Sequence, residues 1–412
     1  MGSIVSGGFA AYNRAVMGAR RPKVCHVITR LILGGAQENT LYTVELLQES
    51  GCYDVTLVTG PALGPEGSLF ERAGKGAFET VVIPQMRRAI HPTRDFVTYR
   101  ALRKLFKRER YDVVHTHSSK AGILGRLAAR AAGVPVVVHT IHGLPFHPYQ
   151  PRLTYKLYVA LERMAARRSD KIISVADAMT DQAVAAGVAL PDKFTTIYSG
   201  MDLDLFLDAG AKRDAVRARL GFGPDDLVVG KIARLFTLKG HEYVFEAFRR
   251  LAGRFPMLKL MLVHDGILRN EFEQQLERLG LRDRVVLTGI VPPDEIPELI
   301  AAMDVLVHAS LREGLARTLP QALAVGRPVV SFDVDGAREV VFDDKTGYLV
   351  APEDVDGLTA ALEKLLGDAA LRARLGAEGR RLVDPMFRKE HMVEQIAALY
   401  DELLDAKGVR CR

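Results

Sequence analysis

The chain has 412 residues, 48% of them hydrophobic and 26% charged, with a net charge of +6 and three cysteines. That mixture excludes a fibrous or wholly disordered chain, and the length exceeds the roughly 100 to 200 residues of an ordinary domain, so two domains are expected. No run approaches the roughly 18 apolar residues that span a bilayer, and Cys25, Cys52 and Cys411 lack metal-ligand or disulfide-framework spacing, which suits a reducing cytoplasm.

In chain order, residues 1–22 read as a flexible leader whose opening MGSIVS meets the loose myristoylation pattern M-G-x-x-x-S, a match that small residues satisfy easily. Strands rich in β-branched residues then alternate with helical patterns. Strands are predicted over 23–29, 54–60, 80–84, 112–117, 134–142, 171–176 and 194–200, and helices near 37–49, 95–109, 120–132, 151–168 and 177–187. Strands apolar on both faces and separated by helices call for a parallel sheet covered on each side. The polar stretch 200–226 reads as a boundary. Beyond it the pattern restarts, with strands over 227–233, 258–264, 284–289, 305–310, 328–333 and 347–350 and helices near 240–253, 268–279, 294–301, 316–325 and 354–365. The expected fold class is α/β, two doubly wound Rossmann-like domains over 23–203 and 204–387 that face a central cleft.

Open parallel sheets bind ligands outside the carboxyl ends of their strands, which directs attention to a few loops. After the first strand, Gly34 and Gly35 permit a turn, and a helix starting near Gln37 offers free N–H groups to an anion. A simple strand-to-helix turn explains the pair equally. The glycine fingerprint of a nicotinamide site and the phosphate-binding P-loop are both missing. Histidines cluster in HTHSSKAG (His115, His117) and HTIHGLPFH (His139, His142, His147). Two residues apart on a strand share a face, but acidic and cysteine ligands are absent nearby, so no metal is expected. His142, followed by Gly143, suits hydrogen bonding or proton handling, or is a satisfied loop histidine.

In the second half, Arg234 and Lys239 flank a loop that ends at Gly240, where a helix begins. Two cations and a helix N-terminus form a clamp for phosphate oxygens. Glu313 and Gly314 arrive at another strand end. A carboxylate accepts hydrogen bonds from hydroxyls, so beside a phosphate clamp it points to a sugar nucleotide. Between 99 and 112, Leu102, Leu105 and Phe106 stand against Arg100, Arg103, Lys104, Lys107, Arg108 and Arg110 at helical spacing. That face is either solvated or a seat for anionic lipid headgroups. No aromatic interleaving supports nucleic acid as a partner.

From about residue 23 to 405 the chain resembles the GT4-type retaining glycosyltransferases of the GT-B fold. The resemblance rests on ARLFTLKG, HDGILRNEFE, VVLTGIVPPDEIPELIAAMDVLVHASLREGL and QALAVGRPVVSFDVDGAREVVFDDKTGYLV, with GGAQ, HTHSSKAG, HTIHG and YSGMDLDLF in the first domain. It implies that Arg234 and Lys239 hold the diphosphate of a UDP- or GDP-sugar. Glu313, with Gly314, Leu315 and Ala316, would lie against the donor sugar and phosphates, and Gly289, Ile290 and Val291 near the base. It places His142 by the reaction centre, Gly34 and Gly35 at the diphosphate and acceptor side, and a last helix near 388–405 back on the first domain.

Two departures stand out. Gln321 replaces the second glutamate of the family's E-x7-E motif, and His264 replaces a common glycine. The implied reaction is sugar transfer with retention, without metal or cofactor, in polysaccharide, lipopolysaccharide or glycolipid biosynthesis. The acceptor would be a sugar or a lipid-linked sugar, at the inner face of the membrane. A nucleotide-sugar epimerase or a non-catalytic nucleotide-sugar binder of the same architecture is the alternative.

Overall fold

The computed structural model describes residues 20–63 and 67–409. The myristoylation-like sequence and nearly all of the expected leader lie outside these residues. Arg20, the first described residue, makes a two-pronged ion pair with Asp112 at 2.8 and 2.9 Å, so the leader reading does not extend to it.

The chain divides into two units, residues 1–201 with 388–412, and residues 202–387. In the first, β1 (Lys23–Ile28), β2 (Asp54–Thr59), β3 (Glu79–Val82), β4 (Val113–His117), β5 (Val136–Ile141), β6 (Lys171–Ser174) and β7 (Phe194–Thr196) form one sheet in the order β3-β2-β1-β4-β5-β6-β7. In the second, β8 (Leu227–Ile232), β9 (Leu258–Val263), β10 (Val285–Gly289), β11 (Val305–His308), β12 (Val329–Phe332) and β13 (Gly347–Val350) follow the order β10-β9-β8-β11-β12-β13. Every ladder is parallel. The strands are short β-branched runs buried on both faces, as β4 and β5 are along their whole length, and helices cover both sides. Each sheet reverses its order once, between β1 and β4 and between β8 and β11. Loops splay apart there, leaving room for a ligand.

The helix Lys389–Ala406 belongs to the first unit, where Met392, Val393, Ile396 and Tyr400 share a core with Val24, Leu41, Val44 and Val136. Apolar residues three and four apart give that helix one burying stripe. The chain leaves the unit at Met201 and returns at Arg388, and the Lys389 N–H donates to the Met201 carbonyl at 3.1 Å.

Several boundaries differ from those predicted. The stretch 200–226, read as a boundary, holds two helices, Leu203–Leu207 and Arg213–Arg219, and the change of unit falls near its start, between Met201 and Asp202. Its charge is not a sign of solvation. Arg213 and Arg217 reach Asp304 at 2.6 and 3.4 Å, and Asp304 also accepts from the Val228 N–H at 2.8 Å, anchoring the segment to the start of β8. The helices Phe70–Lys75 and Ala369–Val383 were not predicted, and the helix expected over 316–325 spans only Thr318–Ala324.

Candidate functional site

In the second unit the sheet reversal brings together the loops after β8 and β11. Leu238 and Gly240 both have φ near 63°, and a Cβ on Gly240 would stand 1.9 Å from the Ala309 carbonyl oxygen. Only glycine lets the two backbones meet this closely. The Leu311 N–H donates to the Leu238 carbonyl at 2.9 Å, closing the contact. Lys239 is thereby held with Nζ 2.5 Å from Glu313 Oε1. From the other side the Glu313 N–H donates to Asp335 Oδ2 at 2.6 Å, and the Gly336 N–H to the Gly314 carbonyl at 3.0 Å.

Burial pushes the Glu313 carboxyl up, but the charge and hydrogen bond of Lys239 outweigh it and hold the group below the usual carboxylate range. Two further residues sit beneath this pair. His308 on β11 places Nε2 3.8 Å from Glu313 Oε1, and burial lowers its imidazole to about 3. Lys231 on β8 is 1% exposed, and its Nζ has no hydrogen-bond partner among the described residues. Burial lowers its ammonium to about 7, with Lys239 pushing the same way and Glu313 opposing. Sequence reasoning missed both residues. A lysine inside the apolar strand LVVGKI was the available signal, since unpaired buried lysines are rare.

The remaining residues singled out in this unit are more dispersed. Arg234 is exposed and lies over the Phe236 ring at 4.9 Å, so of the two expected phosphate cations only Lys239 meets Glu313. Gly289 ends β10 with φ 73° and accepts from the His264 N–H at 3.1 Å. His264 itself has φ 112°, a backbone state that suits glycine and accounts for the residue it departs from. Ile290 is 64% exposed, and Val291 is half-buried. Leu315 and Ala316 continue the loop from Gly314, and Gln321 lies half-buried in the helix Thr318–Ala324.

In the first unit, Gly34 is extended, with φ 168°, and serves as the N-cap of a helix that starts at Gly35 rather than near Gln37. His115 and His117 do not open toward a pocket. Both are fully buried, with rings stacked at 4.3 Å, and His26 on β1 completes a cluster whose ligand atoms all lie within 4.8 Å. His117 Nδ1 is 3.1 Å from Nε2 of half-buried His142. Beside this cluster, at the β1–β4 reversal, is a cavity of 480 Å³. Arg30, Arg88 and Lys120 line it together with Ile90, Leu124 and Leu161, and the one carboxylate among its walls, Asp95, pairs with Lys120 at 2.7 Å.

Lys231 supplies a test of the electrostatics. Its folded-state ammonium titrates near 7 against an ordinary 10.5, so between those values the unfolded chain binds a proton that the folded chain does not. Stability of the wild type therefore rises with pH across that window. Lys231→Met, which removes the buried charge at similar volume, is expected to add about 1 to 4 kcal/mol at pH 7. The gain should shrink toward pH 10, as read by urea denaturation. A pH-independent gain would rule out a buried ammonium as its cause.

Comparison with known proteins gives the family. The family described as glycosyl transferases group 1 matches residues 212–382, and glycosyltransferase family 4 matches residues 33–205. The Escherichia coli UDP-Gal:alpha-D-GlcNAc-diphosphoundecaprenol alpha-1,3-galactosyltransferase is 30% identical over 385 residues, covering 93% of this chain and 97% of the relative. Alpha-D-kanosaminyltransferase of Streptomyces kanamyceticus is 29% identical over 309 residues, covering 73% of this chain and 80% of the relative. Among solved structures, Anabaena HepE in complex with UDP-glucose superimposes with a TM-score of 0.77 at 22% identity, covering 92% of this chain and 99% of that one. Sucrose-phosphate synthase of Thermosynechococcus elongatus gives 0.78 at 22% identity, covering 94% and 100%. The two Rossmann-like units and these relationships together show that the chain belongs to the family 4, group 1 glycosyltransferases of the GT-B fold.

Proposed function

We propose that the enzyme transfers a sugar from a nucleotide diphosphate sugar, with retention of configuration, to a hydroxyl of a lipid-linked diphosphate sugar in polysaccharide or glycolipid biosynthesis. The observation that carries this reading is the Lys239–Glu313 pair at the reversal of the second sheet. Lys239 keeps Glu313 ionised, so the carboxylate accepts hydrogen bonds from donor-sugar hydroxyls, while the remaining Nζ hydrogens serve the diphosphate. Arg234, turned toward Phe236 and exposed, is free of any salt bridge among the described residues and adds a second cation for the phosphates.

In the reaction the bond from the sugar C1 to the diphosphate oxygen breaks and a bond to the acceptor oxygen forms on the same face. The acceptor proton passes to the departing phosphate. Charge on the leaving group is met by Lys239 and Arg234, so the reading draws on no metal or cofactor. Gly314, Leu315 and Ala316 border the donor, Gly289, Ile290 and Val291 the base, and His142 contributes a hydrogen bond at the sugar. Gln321 can accept from ribose hydroxyls through its amide oxygen, without the charge of a glutamate, which weakens donor binding rather than chemistry.

Features of the first unit support the proposed acceptor class. A cavity that joins three cations to aliphatic walls suits a diphosphate attached to an isoprenoid or similar chain, the type of acceptor named for the Escherichia coli relative. Gly34 and Gly35 lie at the same sheet reversal. The helix Pro92–Glu109 buries Leu102, Leu105 and Phe106 and exposes Arg100, Arg103, Lys104, Lys107 and Arg108, with exposed Arg110 as its C-cap. With exposed Ile90, Phe96 and Val97 it presents a basic, apolar-edged face suited to an anionic inner leaflet. No helix among the described residues is long and apolar enough to cross a membrane.

The deciding experiment supplies UDP- and GDP-hexoses with an isoprenoid-diphosphate sugar and follows nucleoside diphosphate release and product anomeric configuration. Acceptor-dependent release with retained configuration is expected. An inverted product, or donor isomerisation without acceptor, would refute the reading.

A further inference from the structure

A single chain of hydrogen bonds runs through the core of the first unit and ends at His142. Thr140 Oγ1 on β5 is 2.7 Å from His115 Nε2, and His115 Nδ1 is 2.5 Å from the hydroxyl of Tyr400 on the C-terminal helix. That hydroxyl is 3.3 Å from His26 Nε2, His26 Nδ1 is 3.0 Å from His117 Nε2, and His117 Nδ1 is 3.1 Å from His142 Nε2. His26, His115, His117, Thr140 and Tyr400 are all buried. Burial holds His26 near 3, pushes His115 and His117 well below the ordinary imidazole value and pushes Tyr400 well above that of a phenol.

Neutral imidazoles have one N–H and one lone pair, so a ring that accepts on one nitrogen donates from the other. Every link named above uses a different nitrogen of each ring. The chain therefore has one direction throughout, and only two arrangements satisfy it. In one, all four imidazoles carry the proton on Nδ1; in the other, all four carry it on Nε2. Thr140 decides between them. Among the described residues its hydroxyl has one partner, His115 Nε2, and a buried O–H needs an acceptor more than an oxygen lone pair needs a donor. Thr140 thus donates to His115, His115 to Tyr400, Tyr400 to His26, His26 to His117, and His117 to His142 Nε2.

We propose that this chain fixes His142 in the tautomer protonated on Nδ1, so that the imidazole acts on substrate as a hydrogen-bond donor and not as a general base. Thr140, His115, Tyr400, His26 and His117 are positioning residues, and His142 is the group that meets substrate. The meeting with substrate rests on the glycosyl-transfer reading; the tautomer does not. A metal at His26, His115 and His117 is the competing use of the same nitrogens. The stacked rings of His115 and His117 and the hydrogen bonds already made by each imidazole speak against it.

Nitrogen-15 NMR of the histidine rings in the full-length protein, without substrate, tests the assignment directly. Nδ1 protonation is expected at His26, His115, His117 and His142 alike. In Tyr400→Phe, which cuts the link between His115 and His26, the rings of His26, His117 and His142 should keep Nδ1 protonation, because the reverse arrangement would leave a buried His26 Nε2–H without an acceptor. A mixed pattern in the wild type, a uniform Nε2 pattern, or a stoichiometric metal in the purified protein overturns the proposal. Activity then tests the donor role. His142→Asn, whose amide nitrogen replaces Nδ1–H, should remain within about tenfold of wild type, whereas His142→Ala falls about a hundredfold. Equal losses in the two variants would show that no Nδ1 donor is used. If no glycosyl transfer is found with any donor, the NMR pattern still decides the tautomer.

Discussion

Lys239→Ala is expected to lower kcat by about 10² to 10³, the effect of removing one preorganised donor from a developing negative charge. The same substitution strands Glu313. With Lys239 absent, burial is opposed only weakly, and the carboxyl rises above its ordinary value in place of its present depression. In the wild type the folded-state value is lowered, so the pair contributes stability that is present above the unfolded carboxyl value and lost as pH falls through the folded one. In the variant a buried carboxylate without its partner destabilises, by about 1 to 3 kcal/mol given that Glu313 remains 24% exposed at the side chain. Urea denaturation of both proteins should therefore diverge most near pH 7 and converge as pH drops below about 4. Full turnover in Lys239→Ala would remove the ammonium from the mechanism, and a stability gap that is constant with pH would remove it from the electrostatics.

Gly240→Ala should be severely damaging to the second unit. Its Cβ would be driven to 1.9 Å from the Ala309 carbonyl oxygen at φ 63°, and backbone on both sides must move to relieve the contact. A cost of about 3 kcal/mol or more is expected, or roughly 6 °C or more in Tm for a unit of this size. Displacement of the loop by about 1 Å also carries Lys239 off Glu313, with a further loss of about 10² in turnover. Gly253→Ala is the control. Nothing lies within 4 Å of its Cβ position and its φ is −75°, so stability and activity should stay near wild type. Equal tolerance at the two positions would show that the β8 and β11 loops do not depend on this approach.

Much of the molecule follows from patterns carried within short stretches. Strands such as VVHTH and VVVHTI are too apolar and β-branched to be anything but buried, and their alternation with amphipathic helices dictates parallel sheets. Helix ends are harder to read, because runs of charged and turn residues look alike whether solvated or paired. Arg213 and Arg217 in the polar stretch after the boundary bind Asp304, some ninety positions away in the chain, which no local pattern can register. Arg234 illustrates the same limit, since nothing in the sequence around it shows that its guanidinium lies over the Phe236 ring while Lys239 alone reaches Glu313.

Residue order alone therefore established two Rossmann-like units, the loops at their strand ends, and Lys239 and Glu313 as groups of opposite charge at neighbouring loops. Folding decided which of these groups meet. Strand order puts β8 beside β11 and β1 beside β4, although long segments separate them in the chain, and this adjacency creates the Lys239–Glu313 pair and the His26–His117 link. The last link, Tyr400, is supplied by a helix that returns after the whole second unit has been made. Hydrogen bonds and charge shifts act over a few ångströms of space, and that distance is set by the sheet and not by separation along the chain.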